Sequence, residues 1–132
     1  MGGKAMMRIA ALLLLAMPAL AQTPMTAEEF AALVTGKTLT YAQNGEAYGI
    51  EYYGENRRVI WSFLDGQCQD GRWYQDGVNI CFIYDFDPDP QCWRFYDDPQ
   101  GLRAVFATDP TSTALYQVEN GDLALICDNL GV

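Results

Sequence analysis

From residue 37 onward the chain is interrupted every few residues by turn pairs of the kind that join adjacent antiparallel strands. They are Asn44-Gly45, Gly54-Glu55-Asn56, Asp65-Gly66, Asp76-Gly77, Pro99-Gln100-Gly101, Asp109-Pro110 and Asn120-Gly121, with a further Asp70-Gly71. Asn-Gly and Asp-Gly suit two-residue loops whose central positions need positive φ, a geometry that matches the twist of the flanking strands. Three Asp-Gly pairs crowd the stretch 65–77, so only some of them can be ladder turns; one is a bulge or a wider loop. Between the turns lie short runs rich in β-branched and aromatic residues, at 38–41, 48–53, 58–64, 72–75, 78–84, 92–96, 103–107, 114–118 and 123–127. Val59, Trp61 and Phe63 share one face of their run, and Val78, Ile80, Phe82 and Tyr84 share one face of theirs. The pattern predicts an all-β domain, mainly an antiparallel meander of eight or nine short strands that closes as a barrel or sandwich.

One segment breaks the period of two. Thr26 offers a helix N-cap, Glu29 stands at the capping-box position, and Phe30, Leu33 and Val34 form a single apolar stripe. Gly36 follows as a C-terminal stop. A short N-terminal helix is therefore expected to pack against the β domain.

The first 21 residues read as a secretory signal peptide. Lys4 and Arg8 supply a basic start, residues 9–17 an apolar core, and Pro18-Ala19-Leu20-Ala21 a small-residue cleavage site. That core is shorter than the roughly 20 residues a membrane-spanning helix needs. Gln22 follows the expected cut, so no lipid-bearing cysteine is available there. The expected organisation is a signal peptide at 1–21 and a single domain of 111 residues at 22–132, periplasmic or secreted. No second apolar run approaches membrane length, so no membrane span is expected in the mature chain. Loss of Lys4 and Arg8 leaves six basic residues against 17 acidic ones, a formal charge of −11. Such a chain repels phosphate backbones, which argues against nucleic acid and favours a cationic partner.

Cys68, Cys81, Cys92 and Cys127 form an even set, which in an exported protein reads as two disulfides. Zinc is disfavoured, because no CxxC pair and no histidine exist. Of the three possible pairings we prefer Cys81–Cys92, closing the 85–90 turn, with Cys68–Cys127. Chain-entropy estimates assign about 3 kcal/mol to the shorter loop and about 4 kcal/mol to the longer.

The absences restrict the chemistry. Without histidine, Ser-His and Cys-His nucleophile systems cannot be built. Ser62 and Ser112 with Lys37 give a serine–lysine pair in counting terms only, since Ser62 lies in an apolar strand and lacks nucleophile-elbow glycines. No glycine-rich phosphate loop precedes a helix, and no cofactor is expected. A two-carboxylate hydrolase needs one acid in a dry pocket and a second roughly 5–9 Å away. Glu51 is the leading acid for it, although strand alternation between Ile50 and Tyr52 turns its side chain to the solvent face. Asp85, Asp87 and Asp89 alternate like calcium ligands. Pro90 and Tyr96, however, stand where an EF-hand needs glycine and glutamate, so a solvated, proline-stiffened hairpin connection is the better reading.

Aromatic residues remain. Three Trp, eight Tyr and six Phe are dense for this length, and in a small barrel most of them fill the interior. The candidate contacts for a ligand or partner are Tyr52, Tyr53, Trp61, Trp73 and Trp93. Tyr52 and Tyr53 are adjacent, so one of them faces out of the sheet. A hollow interior of roughly 300 Å3 or more would suit a small molecule, whereas a filled one would direct attention to the outer surface.

The motifs 36–41 (Gly-Lys-Thr-Leu-Thr-Tyr), Tyr52-Tyr53, 70–74 (Asp-Gly-Arg-Trp-Tyr), 79–82 (Asn-Ile-Cys-Phe) and Cys92-Trp93 resemble those of small exported proteins of unknown function common in alphaproteobacteria. Those proteins pair a short helix with a β domain, and the resemblance implies a periplasmic address. A fainter similarity links the chain to periplasmic lysozyme inhibitors, which are also disulfide-bonded β-barrels. The expected function is a non-enzymatic binding or accessory role toward an unidentified protein or small ligand. The alternatives are an inhibitor of a cationic enzyme such as lysozyme, and a carboxylate-dependent hydrolase.

Overall fold

A computed structural model describes residues 2–3, 10–12, 22–121 and 123–130. Lys4, Arg8, most of the 9–17 apolar run and the 18–21 cleavage site lie outside the described residues. Among the described residues no helix is long and apolar enough to cross a membrane.

The capping box at Thr26 forms as expected: its hydroxyl accepts from the Glu29 N–H at 3.1 Å, and the Glu29 carboxylate accepts from the Thr26 N–H. The helix, α1 (Ala27–Val34), ends at Thr35, and Gly36 then takes a φ of 81° to turn the chain into the sheet. Eight strands follow, β1 (Thr38–Gln43), β2 (Glu46–Tyr53), β3 (Arg58–Ser62), β4 (Cys68–Asp76), β5 (Asn79–Tyr84), β6 (Asp87–Asp98), β7 (Gly101–Phe106) and β8 (Leu115–Val118). Each pairs antiparallel with its neighbour, and β8 returns to β1, so the sheet is a closed barrel. The Asn44-Gly45 loop has positive φ at both residues, and Gly77 opens the β4–β5 loop with a φ of 60°.

Of the three Asp-Gly pairs, Asp76-Gly77 makes the β4–β5 turn and Asp65-Gly66 sits in the wider β3–β4 loop, as expected, whereas Asp70-Gly71 and the 123–127 run depart from expectation. Asp70-Gly71 lies inside β4, where a Cβ on residue 71 would collide with the Tyr84 ring and the Ile83 carbonyl. The glycine is there for close packing. The 123–127 run is no strand, because closure of β8 on β1 leaves no free edge for a ninth.

That run belongs instead to an outer strap. Thr40, Ile50, Ser62 and Cys68 are cross-strand neighbours in a row across β1 to β4, pointing away from the barrel axis, and all four are buried. The C-terminal segment lies over this region: Asn120 hydrogen-bonds Thr40 and Thr38, Asn129 hydrogen-bonds the Cys68 backbone in both directions, and Cys127 is disulfide-bonded to Cys68. The second disulfide joins the directly paired Cys81 and Cys92 on β5 and β6. Two disulfides suit an oxidising compartment outside the cytoplasm.

The barrel has unlike ends. α1 closes the end where β1 starts and β2 finishes, with Phe30 and Val34 fully buried. Phe30 packs on Tyr53, Trp73, Phe82 and Phe95 at ring separations of 4.5 to 6.5 Å. No helix covers the opposite end among the described residues.

Candidate functional site

At the uncovered end the inner wall opens into a recess whose floor carries a carboxyl group. Glu51 is only 2 % exposed and points into the barrel, with Leu39 and Trp61 as its cross-strand neighbours. The solvent-facing placement expected from alternation is therefore wrong. Its cause is the strap. With Ile50 buried on the outer face beneath it, both faces of β2 are covered, and the rule that polar residues point out loses its premise.

The Tyr84 hydroxyl donates to Glu51 Oε1 at 2.9 Å, while Oε2 is buried without a hydrogen-bond partner. Beside them the Tyr41 and Tyr53 hydroxyls share a hydrogen bond of 2.7 Å. Burial pushes the Glu51 carboxyl up to about 8, against the lowering effect of the Tyr84 hydrogen bond. Burial likewise raises Tyr41, Tyr53 and Tyr84 above the ordinary tyrosine value. At neutral pH the floor is thus mostly a neutral acid among neutral phenols.

The geometry depends on two glycines. Gly71 leaves room for the Tyr84 ring, and Gly49 leaves room for the Trp61 indole. Above the floor Tyr48, Trp61 and Phe63 form an aromatic trio with ring separations of 5.3 to 5.9 Å. Tyr48 is 36 % exposed and Phe63 49 % exposed, so their faces reach solvent at the rim. Trp93, with Phe106 edge-on at 4.9 Å, stands on another side, and Gln69 and Gln91 add polar tips. The free space enclosed is about 50 Å3. That holds roughly three or four waters or one small polar group, far less than a whole drug-sized ligand needs. The barrel is mostly filled.

Of the expected contact residues, Tyr53, Trp61 and Trp93 line the recess. Trp73 does not: it is buried at the closed end against Phe30, with the Arg57 guanidinium over its ring. Tyr52 turns to the outer face and is half-buried there. Tyr41, Tyr48, Phe63 and Tyr84 line the recess without being among the contacts expected from the sequence, although the shared faces of Trp61 with Phe63 and of Phe82 with Tyr84 are a signal for two of them. Asp85, Asp87 and Asp89 sit at the β5–β6 hairpin, with Asp87 accepting from the Asp89 N–H. Among the described residues no three metal-ligating side chains gather in one group.

Comparison with protein-family models, curated proteins and solved structures finds no match.

Proposed function

We propose that this protein is a non-enzymatic binding module, exported from the cytoplasm, that takes the polar end of a small ligand into the mouth of its barrel. One observation carries this reading: the buried, unpartnered Oε2 of Glu51 at the floor of a recess whose rim is aromatic and exposed. A buried polar atom without a partner costs about 1–3 kcal/mol, and a ligand or water that supplies a donor recovers it. Exposed tyrosine and phenylalanine faces beside a polar point are the usual makeup of a ligand site. Hydrolysis fits the lining poorly. Glu51 meets the requirement for a dry acid, yet among the described residues no second carboxylate lines the recess. The two disulfides and the basic-apolar start of the chain support a periplasmic or secreted address.

The test is a 15N-detected NMR titration of the oxidised protein with a set of small amines, alcohols, acids and sugars. Binding is expected to move the indole N–H signals of Trp61 and Trp93 while that of Trp73 stays fixed. If no compound moves either rim tryptophan, the reading fails.

A second reading rests on charge. A net charge of −9 over the whole chain favours encounter with cationic proteins, among them enzymes such as lysozyme. Lysozyme turnover unchanged by excess protein at low salt would dismiss it.

A further inference from the structure

The geometry points to a primary alkylammonium group as the ligand end that this recess accepts, seated on the Glu51 carboxyl with its alkyl stem against the Tyr48, Trp61, Phe63 and Trp93 rings. The inference rests on the ligand-binding reading above and narrows it to one chemistry.

Four features select the cation. First, the orphan atom becomes an acceptor once Glu51 gives up its proton, and an ammonium brings three N–H donors and no acceptor. Second, among the described residues no cationic side chain lines the recess, and the other groups there that can hydrogen-bond carry no positive charge. They are Tyr41 from β1, Tyr48 and Tyr53 from β2, Trp61 from β3, Gln69 from β4, Tyr84 from β5 and Gln91 with Trp93 from β6. An ammonium arriving there is the sole countercharge, and a carboxylate or phosphate would meet none. Third, the walls are aromatic, and the faces of such rings attract a desolvated cation. Fourth, the net charge of −9 concentrates small cations near the surface.

Size then chooses among cations. About 50 Å3 admits a primary ammonium head but crowds the three methyl groups of a trimethylammonium. The stem of the ligand has to remain at the mouth, where Tyr48 and Phe63 present exposed faces.

Binding is coupled to a proton. Free Glu51 is mostly protonated at pH 7, because burial raises it to about 8. Capture of the ammonium converts the acid to a carboxylate, and its proton leaves to solvent. The three tyrosines nearest it keep their protons throughout, since burial raises them too. Affinity should therefore climb roughly tenfold per pH unit below pH 8, then level until the amine itself deprotonates near about pH 10.

Isothermal titration calorimetry of the oxidised protein tests this with n-hexylammonium, hexan-1-ol, hexanoate and hexyltrimethylammonium. The expected result is a preference of at least about tenfold for hexylammonium over the other three at pH 8. In buffers of different ionisation enthalpy at pH 7, close to one proton should be released per hexylammonium bound. Glu51→Gln should abolish both the preference and the proton release; the wild-type proton count stands without the variant. Hexan-1-ol or hexyltrimethylammonium binding as tightly as hexylammonium, or no proton release, overturns the ammonium assignment and leaves the ligand-binding reading intact. Absence of binding by all four probes, with silent rim tryptophans, overturns both.

Discussion

The two ends of the barrel use the same residue types to opposite effect. At the closed end Phe30 from α1 inserts among four rings, and the cluster around it is buried throughout. At the open end Tyr48, Trp61 and Phe63 make a comparable cluster, but among the described residues no α-helix covers it, and two of the three are exposed. Tyr53 belongs to both. Its ring packs edge-on against Phe30 at 5.6 Å, while its hydroxyl reaches Tyr41 beside the Glu51 floor. The contrast shows that aromatic density alone does not mark a site. What separates core from site here is the presence of a plugging helix at one end and of a buried, half-satisfied carboxyl at the other.

Substitutions can break this contrast, and the largest effect belongs at the closed end. Phe30→Ala removes the plug from four ring contacts and should cost about 3–5 kcal/mol of stability in a chemical denaturation experiment. A loss near zero would mean that the helix is not part of the folded unit.

Next comes Glu51→Gln, whose effect depends on pH. The folded form holds Glu51 protonated up to about pH 8, whereas the unfolded chain releases that proton near 4.5. Between those values the unfolded state binds fewer protons, so wild-type stability falls as pH rises, by about 1.4 kcal/mol per pH unit, and levels above the folded value. Gln cannot ionise. The variant should match wild type near pH 4.5 and exceed it increasingly toward pH 8; parallel pH profiles would show that Glu51 is not buried.

Gly71→Ala tests the support behind the floor. The added methyl meets the Tyr84 ring and the Ile83 carbonyl, and overpacking of this kind costs about 1–3 kcal/mol. It should also shift the titration of Glu51, because Tyr84 is the hydrogen-bond donor to that carboxyl. A variant with wild-type stability and an unmoved 13C carboxyl titration would sever Gly71 from the site.

The smallest effect on stability is expected at the rim. Phe63 is half exposed and packs edge-on against Tyr48 and Trp61, so Phe63→Ala should cost only about 1 kcal/mol of stability while weakening binding of any ligand at the mouth. A stability loss as large as that of Phe30→Ala would erase the distinction between the ends.

Much of the fold was legible in local chemistry. The capping box of Thr26 and Glu29, the Asn44-Gly45 and Asp76-Gly77 hairpins and the aromatic runs between them each carry a short-range physical signal. The site was less legible. Trp61 and Trp93 stand out because aromatic residues are conspicuous, but the same signal groups Trp73 and Tyr52 with them although one is core and the other faces outward. For Glu51 the alternation points to the wrong side, since it says which residues share a face and not which face is the inside.

The sequence by itself determined the short strands, their order, the capped helix and an even set of cysteines, because propensity, turn chemistry and alternation act over a few neighbouring residues. Only the tertiary structure decided that the meander closes on itself, that the C-terminal run becomes a strap and that a carboxyl group faces the barrel axis. Those outcomes depend on contacts between β1 and β8 and between Cys68 and Cys127, dozens of residues apart. Once the strap covers Ile50, burial no longer distinguishes the two faces of β2, and closure of the ring of strands assigns Glu51 to the inside.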